Sequence, residues 1–175
     1  MASIAPDQPF PELTLPRLGG GELALGTPSE GYDWQFVVVY RGLHCPICKD
    51  YLRQIETLKS RYHELGVEIV AVSADPEEKA QAFVDETGIS IPVAYDLSIE
   101  DMHRLGLFVS DPRSPEETDR PFAEPGHFVI NEHGKLQIVE IANAPFVRPD
   151  LQRLADGIEF VREKGYPVRG TRMAA

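Results

Sequence analysis

The sequence predicts a layered α/β domain with a central mixed β-sheet flanked by helices. Between residues 36 and 105, buried strand-like runs alternate with amphipathic stretches, an order that favours parallel strands joined by right-handed crossovers. Between residues 126 and 141, two further strand-like runs flank a turn sequence, which is typical of an antiparallel hairpin. The chain has 175 residues, of which 42% are hydrophobic, and no internal repeat divides it. We therefore treat residues 1–175 as a single domain.

The first elements predict a β-hairpin beside the main sheet. Residues 10–15 alternate between apolar and other side chains, the three glycines of 19–21 supply a turn, and residues 22–25 supply a second strand. The continuous apolar run 36–40 follows, and its composition is typical of a strand buried on both faces.

The middle of the chain predicts two helices around one strand. Apolar side chains recur at helical spacing from Tyr51 to Leu65, and Gly66 is a good stop signal. Residues 67–73 form the next strand. The acidic and proline residues of 75–78 are typical of a helix start, and the second helix runs to about Gly88.

The following segment contains short elements and one loop. Residues 91–95 predict a short strand, and residues 99–105 predict a short helix. Residues 111–121 are polar, acidic and rich in proline, so we expect an exposed insertion loop there. A role of this loop in recruiting a partner is the alternative.

The C-terminal part predicts a hairpin and a last helix. Strands at 126–130 and 137–141 flank the turn sequence of 131–134. Residues 148–161 open with Arg-Pro-Asp and place apolar side chains at helical spacing. We expect residues 165–175 to form a loosely held tail.

Charge and composition narrow the function classes. The net charge of −11 disfavours nucleic acid and anionic membrane surfaces, because both select for lysine and arginine. Residues 1–6 lack the pattern of a secretory signal, and no stretch approaches transmembrane length. We therefore expect a cytoplasmic protein without nucleic-acid or membrane partners. In that reducing compartment, a lone cysteine pair favours redox cycling over a structural role.

The most informative motif is Cys45-Pro46-Ile47-Cys48, which contains the only two cysteines and joins a strand to the long helix. We expect Cys45 to be the N-cap and Pro46 the first helical residue, so that the amide groups of Ile47 and Cys48 point at the Cys45 sulfur. These N–H groups and the helix dipole stabilise a thiolate, which is the form that attacks. Cys45 is therefore the candidate nucleophile.

Three neighbours complete the candidate catalytic set. Arg41 and His44 precede Cys45 closely, and a cation near the sulfur lowers the pKa of its thiol. Cys48 lies one helical turn after Cys45, where we expect it to be more buried. From there it can attack a mixed disulfide at Cys45 and release the product.

Simpler interpretations stay open for these residues. The cysteine pair could be half of a zinc site, although no second pair or closely spaced histidines supply the other ligands. The two cysteines could also be buried and inert, and His44 could be a solvated loop residue.

Four segments together resemble a known family: residues 9–13, 40–48, 71–75 and 128–134. They are similar to the peroxiredoxin-like branch of the thioredoxin-fold superfamily, often called AhpC/TSA or redoxin. The resemblance implies a thioredoxin-like fold with helices on both faces of the sheet and a redox-active cysteine at a helix start. It also implies an antioxidant, thiol-dependent oxidoreductase without cofactor or metal, in which a Cys45/Cys48 dithiol–disulfide cycle reduces hydroperoxides or disulfides. The reductant would be a thioredoxin-like protein or a low-molecular-weight thiol, and homodimerisation stays open.

The same resemblance gives a substrate-binding candidate. Pro125 stands where thioredoxin-like proteins hold a cis-proline that faces the cysteine pair. The resemblance thus implies a cis peptide bond at Pro125, with Glu124 and Pro125 lining the substrate groove. An ordinary trans turn proline is the alternative.

The motif departs from the typical peroxiredoxin pattern, Pro-x-x-x-Thr-x-x-Cys with a later arginine. Counted back from Cys45, the threonine and proline positions hold Gly42 and Val38, and counting from Cys48 does not restore the motif either. Pro125 takes the place of the later arginine, which leaves Arg41 as the only nearby guanidinium. Peroxide and disulfide therefore both stay open as substrates.

A different class of function also stays open. Thioredoxin folds host non-enzymatic binding or chaperone-like modules, in which the cysteine pair is silent or binds a metal, and fold alone does not fix function. His127 is the only downstream histidine near the expected groove. It could equally be a strand residue that faces solvent.

Overall fold

The structure is a computed structural model that describes residues 4–172. The predicted absence of a signal at residues 1–6 and the tail at 165–175 lie partly outside the described residues. Residues 4–172 contain nine strands: β1 (Leu13–Pro16), β2 (Glu22–Leu25), β3 (Trp34–Val39), β4 (Val67–Val72), β5 (Val93–Ala94), β6 (Val109–Ser110), β7 (Phe122–Ala123), β8 (Gly126–Ile130) and β9 (Leu136–Ile141). Four helices accompany them: α1 (Pro46–Glu64), α2 (Glu77–Thr87), α3 (Ile99–Arg104) and α4 (Leu151–Lys164).

The central sheet has five strands in the order β5-β4-β3-β8-β9. β3, β4 and β5 are parallel neighbours, whereas β8 is antiparallel to both β3 and β9. This is the mixed α/β sheet that the sequence predicts. The predicted N-terminal hairpin is confirmed by the antiparallel pairing of β1 with β2. β6 and β7 form a separate two-stranded ribbon.

Burial on both faces explains the apolar strands. All six residues of β3 and all six of β4 are buried. Because successive side chains point to opposite faces of a strand, Phe36 and Val38 pack into the core under α1, α2 and α4. Val37 and Val39 pack into a second core under the hairpin and α3. Helices therefore cover both faces of the sheet, as expected.

The helix ends follow their local sequence. α2 begins after Pro76 and ends at Gly88, whose φ of +71° is the left-handed conformation that glycine adopts readily. Ser98 and Asp150 cap α3 and α4 by accepting backbone N–H groups with their side chains. These bounds agree with the predicted helices.

Residues 111–121 connect β6 to β7 and touch the rest of the molecule at defined points. Most of the segment is exposed, but Thr118 is buried. Glu117 pairs with Arg113 within the segment and with Arg41 outside it. The insertion is therefore packed at its C-terminal half. Among the residues that the structure describes, no helix is long and apolar enough to cross a membrane.

Candidate active site

The loop between β3 and α1 is held by a buried carboxylate. Asp75 lies just beyond β4, and its Oδ2 accepts the backbone N–H of Leu43 at 2.7 Å. Gly42 has φ +138°, and a Cβ on it would lie 2.8 Å from Asp75 Oδ2. Only glycine fits this close approach. Asp75 therefore fixes the backbone that leads into Cys45.

Cys45 caps α1, as the sequence predicts. Its Sγ accepts the backbone N–H of Cys48 at 3.2 Å, and Pro46 follows as the first helical residue. The Ile47 amide makes no such bond among the described residues. Cys45 and Cys48 form a disulfide. They are 1% and 0% exposed, so the expected difference in burial between them is negligible.

The Arg41 guanidinium is paired with two carboxylates. Its Nε lies 3.3 Å from Glu124 Oε2, and its Nη2 lies 3.9 Å from Glu117 Oε1. The guanidinium also lies over the Phe122 ring, 4.7 Å from its centroid. Within residues 4–172, Arg41 donates no hydrogen bond to either sulfur. Its charge is neutralised by the two acids.

His44 is neutral at physiological pH. Its ring packs on Phe122 with centroids 4.5 Å apart, and both ring nitrogens are buried without a hydrogen-bond partner in the described part of the chain. Burial, followed by the charge of Arg41, lowers the pKa of His44 to about 4. The prediction of a histidine cation beside Cys45 is therefore wrong, because the ring loses its water and gains no acid partner.

Glu124 and Pro125 lie between β7 and β8, and both are buried. Glu124 Oε1 accepts the Ser110 hydroxyl at 2.7 Å, while Oε2 faces Arg41. None of the peptide bonds in residues 4–172 is cis, so the prediction of a cis bond at Pro125 is wrong. The Pro125 carbonyl accepts Ala142 N–H at 3.0 Å, which extends the β8–β9 pairing.

Arg148 is the site residue that sequence reasoning missed. Its Nη2 donates to Cys48 Sγ at 3.0 Å, so the prediction that Arg41 is the only nearby guanidinium is wrong. Arg148 lies 100 residues after Cys48, between β9 and α4. In the sequence, its Arg-Pro-Asp context indicated only a helix start. No local signal links it to the cysteines.

Besides Cys48 Sγ, two contacts hold the Arg148 side chain in place. Its Nε donates to Pro145 O at 2.7 Å, and its guanidinium lies over the Tyr51 ring, 5.0 Å from the centroid. The Tyr51 hydroxyl in turn donates to Pro149 O at 2.8 Å. The arginine is therefore ordered by its own loop and by α1.

His127 lies in the core under α1 and does not face solvent. It is 2% exposed, and its Nδ1 lies 2.7 Å from Glu140 Oε2. The Tyr51 ring meets it edge-on with centroids 5.4 Å apart. Burial lowers the pKa of His127, while the Glu140 carboxylate opposes that shift.

Three large apolar side chains that adjoin a cysteine or Arg148 in the chain are exposed. Ile47, between the cysteines, is 38% exposed, and Phe146 and Val147, which directly precede Arg148, are 77% and 56% exposed. The consecutive exposed side chains of Phe146 and Val147 are typical of a surface that contacts another molecule. No group of three or more His, Cys, Asp or Glu side chains is placed to hold a metal ion among the described residues.

Comparison with known proteins now places the chain. Residues 6–139 match the sequence profile of the AhpC/TSA family. The chain belongs to the AhpC/TSA family. Two relatives within reach of sequence comparison are named thiol-disulfide oxidoreductase ResA. The protein of Halalkalibacterium halodurans is 35% identical over 96 residues, covering 54% of this chain and 47% of the relative. That of Oceanobacillus iheyensis is 37% identical over 65 residues, covering 35% of this chain and 34% of the relative.

Solved structures agree with the AhpC/TSA assignment at the level of the fold. AhpC of Enterococcus faecalis superposes with a TM-score of 0.74 at 19% identity, covering 94% of this chain and 98% of that one. Peroxiredoxin 6 of Arenicola marina superposes with a TM-score of 0.73 at 18% identity, covering 93% and 76%. The thioredoxin-like fold is thereby confirmed. The chain spans about half, or less, of the length of the ResA relatives.

Proposed function

We propose that this protein is a thiol-disulfide oxidoreductase that reduces disulfides of proteins or small molecules through a Cys45/Cys48 dithiol–disulfide cycle. The observation that carries the proposal is the disulfide at the first turn of α1, with an N–H donor at each sulfur. Donors at both sulfurs stabilise the two thiolates that the cycle requires. The names of the ResA relatives support the same chemistry.

The cycle balances as two thiol exchanges. The Cys45 thiolate attacks one sulfur of a substrate disulfide, and the other substrate sulfur leaves as a thiolate. The Cys48 thiolate then attacks Cys45 Sγ in the mixed disulfide, which forms the Cys45–Cys48 bond and releases the second substrate thiolate. Two electrons have moved from the protein to the substrate. A thioredoxin-like protein or a low-molecular-weight thiol returns them.

Hydroperoxide reduction is the second candidate, and membership of the AhpC/TSA family favours it. In that reaction the Cys45 thiolate attacks the peroxide, forms a sulfenic acid and releases an alcohol or water. Cys48 then displaces hydroxide to form the disulfide. The surroundings of Cys45 argue for the disulfide substrate, because Gly42 carries no hydroxyl at the threonine position of the motif and Arg41 is neutralised by Glu124 and Glu117.

The remaining candidate residues act through position in this proposal. The ion pair of Arg41 with Glu124 ties the loop before Cys45 to the strand that carries Pro125. His44 packs against Phe122 as a neutral ring. Glu124 and Pro125 then form the inner wall of the site, behind the surface that receives the substrate.

In the test, the reduced protein is mixed by stopped flow with one equivalent of a small disulfide or of hydrogen peroxide. The loss of free thiols is then measured over time. The account predicts fast loss of two thiols with the disulfide, slow loss with peroxide, and a Cys45–Cys48 bond located by mass spectrometry. Faster reaction with peroxide would assign a peroxidase. Inertness toward both would favour the silent or metal-binding module. Cys45→Ser is the control for background oxidation.

Compartment, physiological role and assembly are further proposals. A cytoplasmic location fits a cysteine pair that a reducing environment keeps cycling. An antioxidant role and homodimerisation fit the AhpC/TSA family. Subcellular fractionation, peroxide sensitivity of a deletion strain and sedimentation equilibrium test these three proposals in turn.

A further inference from the structure

Arg148 has a charge that no acid of the described residues neutralises by an ion pair. Arg41, in contrast, pairs with two glutamates. Arg148 is only partly exposed, and its Nη1 is buried without a hydrogen-bond partner. A buried guanidinium that lacks an anion loses solvation without recovering the free energy through pairing. The acceptor in its reach that can become an anion is Cys48 Sγ.

The value of this contact depends on the redox state. In the disulfide, Cys48 Sγ is neutral and a weak acceptor. When the disulfide is reduced, the same atom becomes a thiolate, and the contact becomes a hydrogen bond between two opposite charges, which is stronger. An interaction that strengthens as charge develops lowers the barrier of the step that creates the charge.

We propose that Arg148 is a catalytic residue that stabilises Cys48 as the leaving thiolate when an external thiol reduces the Cys45–Cys48 disulfide. This inference rests on the proposed dithiol–disulfide cycle and identifies how the reductive half of that cycle is driven. The division of labour is asymmetric: the N-terminus of α1 serves Cys45, and a residue from the far end of the chain serves Cys48.

The step balances as follows. The thiolate of a reductant attacks Cys45 Sγ, which forms a bond between the reductant sulfur and Cys45. The Cys45–Cys48 bond breaks, and its electron pair goes to Cys48 Sγ beside Arg148. A second thiolate of the reductant then attacks its own sulfur in the mixed disulfide and releases Cys45 as a thiolate. The reductant is oxidised to a disulfide.

The surroundings fix Arg148 for this task before the reaction. The bond from its Nε to Pro145 O and the Tyr51 ring beneath it restrict its rotation. Burial lowers the pKa of Arg148, but a guanidinium stays protonated over the working pH range. Preorganised donors of this kind stabilise developing charge without a reorganisation cost.

The first test measures the thiol pKa of Cys48 in the Cys45→Ser background, where it is the only thiol, from the ultraviolet absorbance of the thiolate. We expect Arg148→Gln to raise this pKa by about one unit or more, since hydrogen bonds to charged groups contribute roughly tenfold or more to an equilibrium. Arg148→Lys keeps the charge and should restore part of the shift.

The matched control is Arg153→Gln, which removes the same charge from an exposed position of α4. It should leave the Cys48 pKa unchanged. Glu140, His127, Glu124, Arg41 and Tyr51 also face this region, but they are present in every variant, so the difference between variants isolates Arg148. An equal Cys48 pKa in Cys45→Ser alone and in Cys45→Ser combined with either Arg148 variant would overturn the proposal.

The second test uses the full dithiol protein. Arg148→Gln should shift the equilibrium with a dithiol buffer toward the disulfide by about tenfold, which is about 30 mV toward a more negative potential. Reduction of the disulfide by a small dithiol should slow by roughly three- to tenfold, because a leaving thiol of higher pKa leaves more slowly. An unchanged potential and rate would overturn the proposal.

These tests separate the inference from the function on which it rests. The Cys48 pKa is measured without turnover, so it reports on Arg148 even if the protein exchanges no disulfides. Circular dichroism and the melting temperature show whether Arg148→Gln is folded. If it is not, Arg148→Lys and the Cys48 pKa in that variant decide the outcome.

Discussion

The loop before Cys45 and the segment after β9 each bring an arginine to the same end of the sheet, but the two arginines have different surroundings. Arg41 precedes the first cysteine by four residues and pairs with two glutamates. Arg148 is distant in sequence, has no acid partner among residues 4–172 and donates to a sulfur. A guanidinium can serve a thiolate only where carboxylates have not already neutralised it.

Replacing either cysteine should abolish turnover, but the two replacements should leave different products. Cys48→Ser should stop turnover and accumulate a mixed disulfide on Cys45, because no second thiol displaces the substrate. Cys45→Ser should also stop turnover but accumulate little adduct, since the Cys48 sulfur lies against the Arg148 side chain. Mass spectrometry after incubation with a small disulfide measures both. An adduct that forms equally fast on Cys48 would contradict the assigned roles.

Arg41→Met sharpens the contrast between the arginines. It leaves the buried Glu124 carboxylate without its ion pair, so we expect a loss of about 3 kcal/mol in the free energy of unfolding. In the double variant Arg41→Met/Glu124→Gln, which removes both charges of this ion pair, the thiol pKa of Cys48 should stay unchanged. Urea denaturation measures the stability, and the added change Glu124→Gln should recover part of it. A raised Cys48 pKa with unchanged stability would reverse the roles of the two arginines.

Asp75 tests how firmly the loop of Arg41 must be held. Asp75→Ala removes the acceptor of Leu43 N–H and should cost about 1–3 kcal/mol. Asp75→Asn keeps an acceptor and serves as the matched variant. Urea denaturation compares the two changes, and equal losses would show that the Leu43 contact is not the reason for the buried acid.

The pH dependence of Asp75→Asn follows from the direction of its pKa shift. Burial raises the pKa of Asp75 above its usual range, so the folded state binds a proton that the unfolded state has released. The wild type therefore loses stability as the pH rises from the unfolded pKa of about 4 through the folded value. Asp75→Asn should lack this loss. If the stability of Asp75→Asn relative to the wild type instead increased toward acidic pH, the upward shift of the Asp75 pKa would be contradicted.

The titration of His44 should change the stability less than that of Asp75, and with the opposite dependence on pH. Its folded pKa of about 4 lies below the ordinary value of 6.5, so the unfolded state takes up the proton first. The stability that the neutral ring contributes is complete above the unfolded pKa and is lost as the pH falls toward the folded pKa. Because the ring is only partly buried, we expect this contribution to the free energy of unfolding to be about 1–2 kcal/mol.

The variant His44→Phe keeps the stacking on Phe122 and removes the titration. Its melting temperature should fall less than that of the wild type between neutral and mildly acidic pH. The exposed His133→Phe is the control and should behave as the wild type does. A fall of equal size in wild type and His44→Phe would show that His44 does not carry the dependence.

The smallest expected effect concerns the exposed side chains beside Arg148. Phe146→Ala removes an apolar side chain that is 77% exposed, so stability should change little. Reduction by a protein dithiol should slow by about three- to tenfold, since lost apolar contact weakens docking by roughly 1 kcal/mol. Reduction by a small dithiol should not change. The exposed Phe160→Ala is the control, and equal slowing with both reductants would argue against docking.

Local signals predicted the fold well, for physical reasons. The apolar run of β3, the turn before β9 and the glycine that ends α2 each report on their own neighbours in the chain. The N-cap role of Cys45 is local too, because the cap and the amide it accepts lie three residues apart. Such features are encoded within a few residues and need no knowledge of the tertiary structure.

The site could be predicted only in part, because its electrostatics depend on contacts between distant segments. Arg148 reaches Cys48 across 100 residues. Glu117 and Glu124, which neutralise Arg41, come from the insertion and from the chain between β7 and β8. The neutral state of His44 depends on packing against Phe122. Position along the chain indicated the candidate nucleophile but not the charges that reach the sulfurs.

A redox titration measures whether Cys45 and Cys48 interconvert reversibly between dithiol and disulfide. The protein is equilibrated in a series of thiol–disulfide buffers, quenched with an alkylating agent and weighed by mass spectrometry. The account predicts one two-electron transition between a doubly alkylated species and an unmodified disulfide. Two separate one-thiol transitions, or no transition across the series, would contradict it.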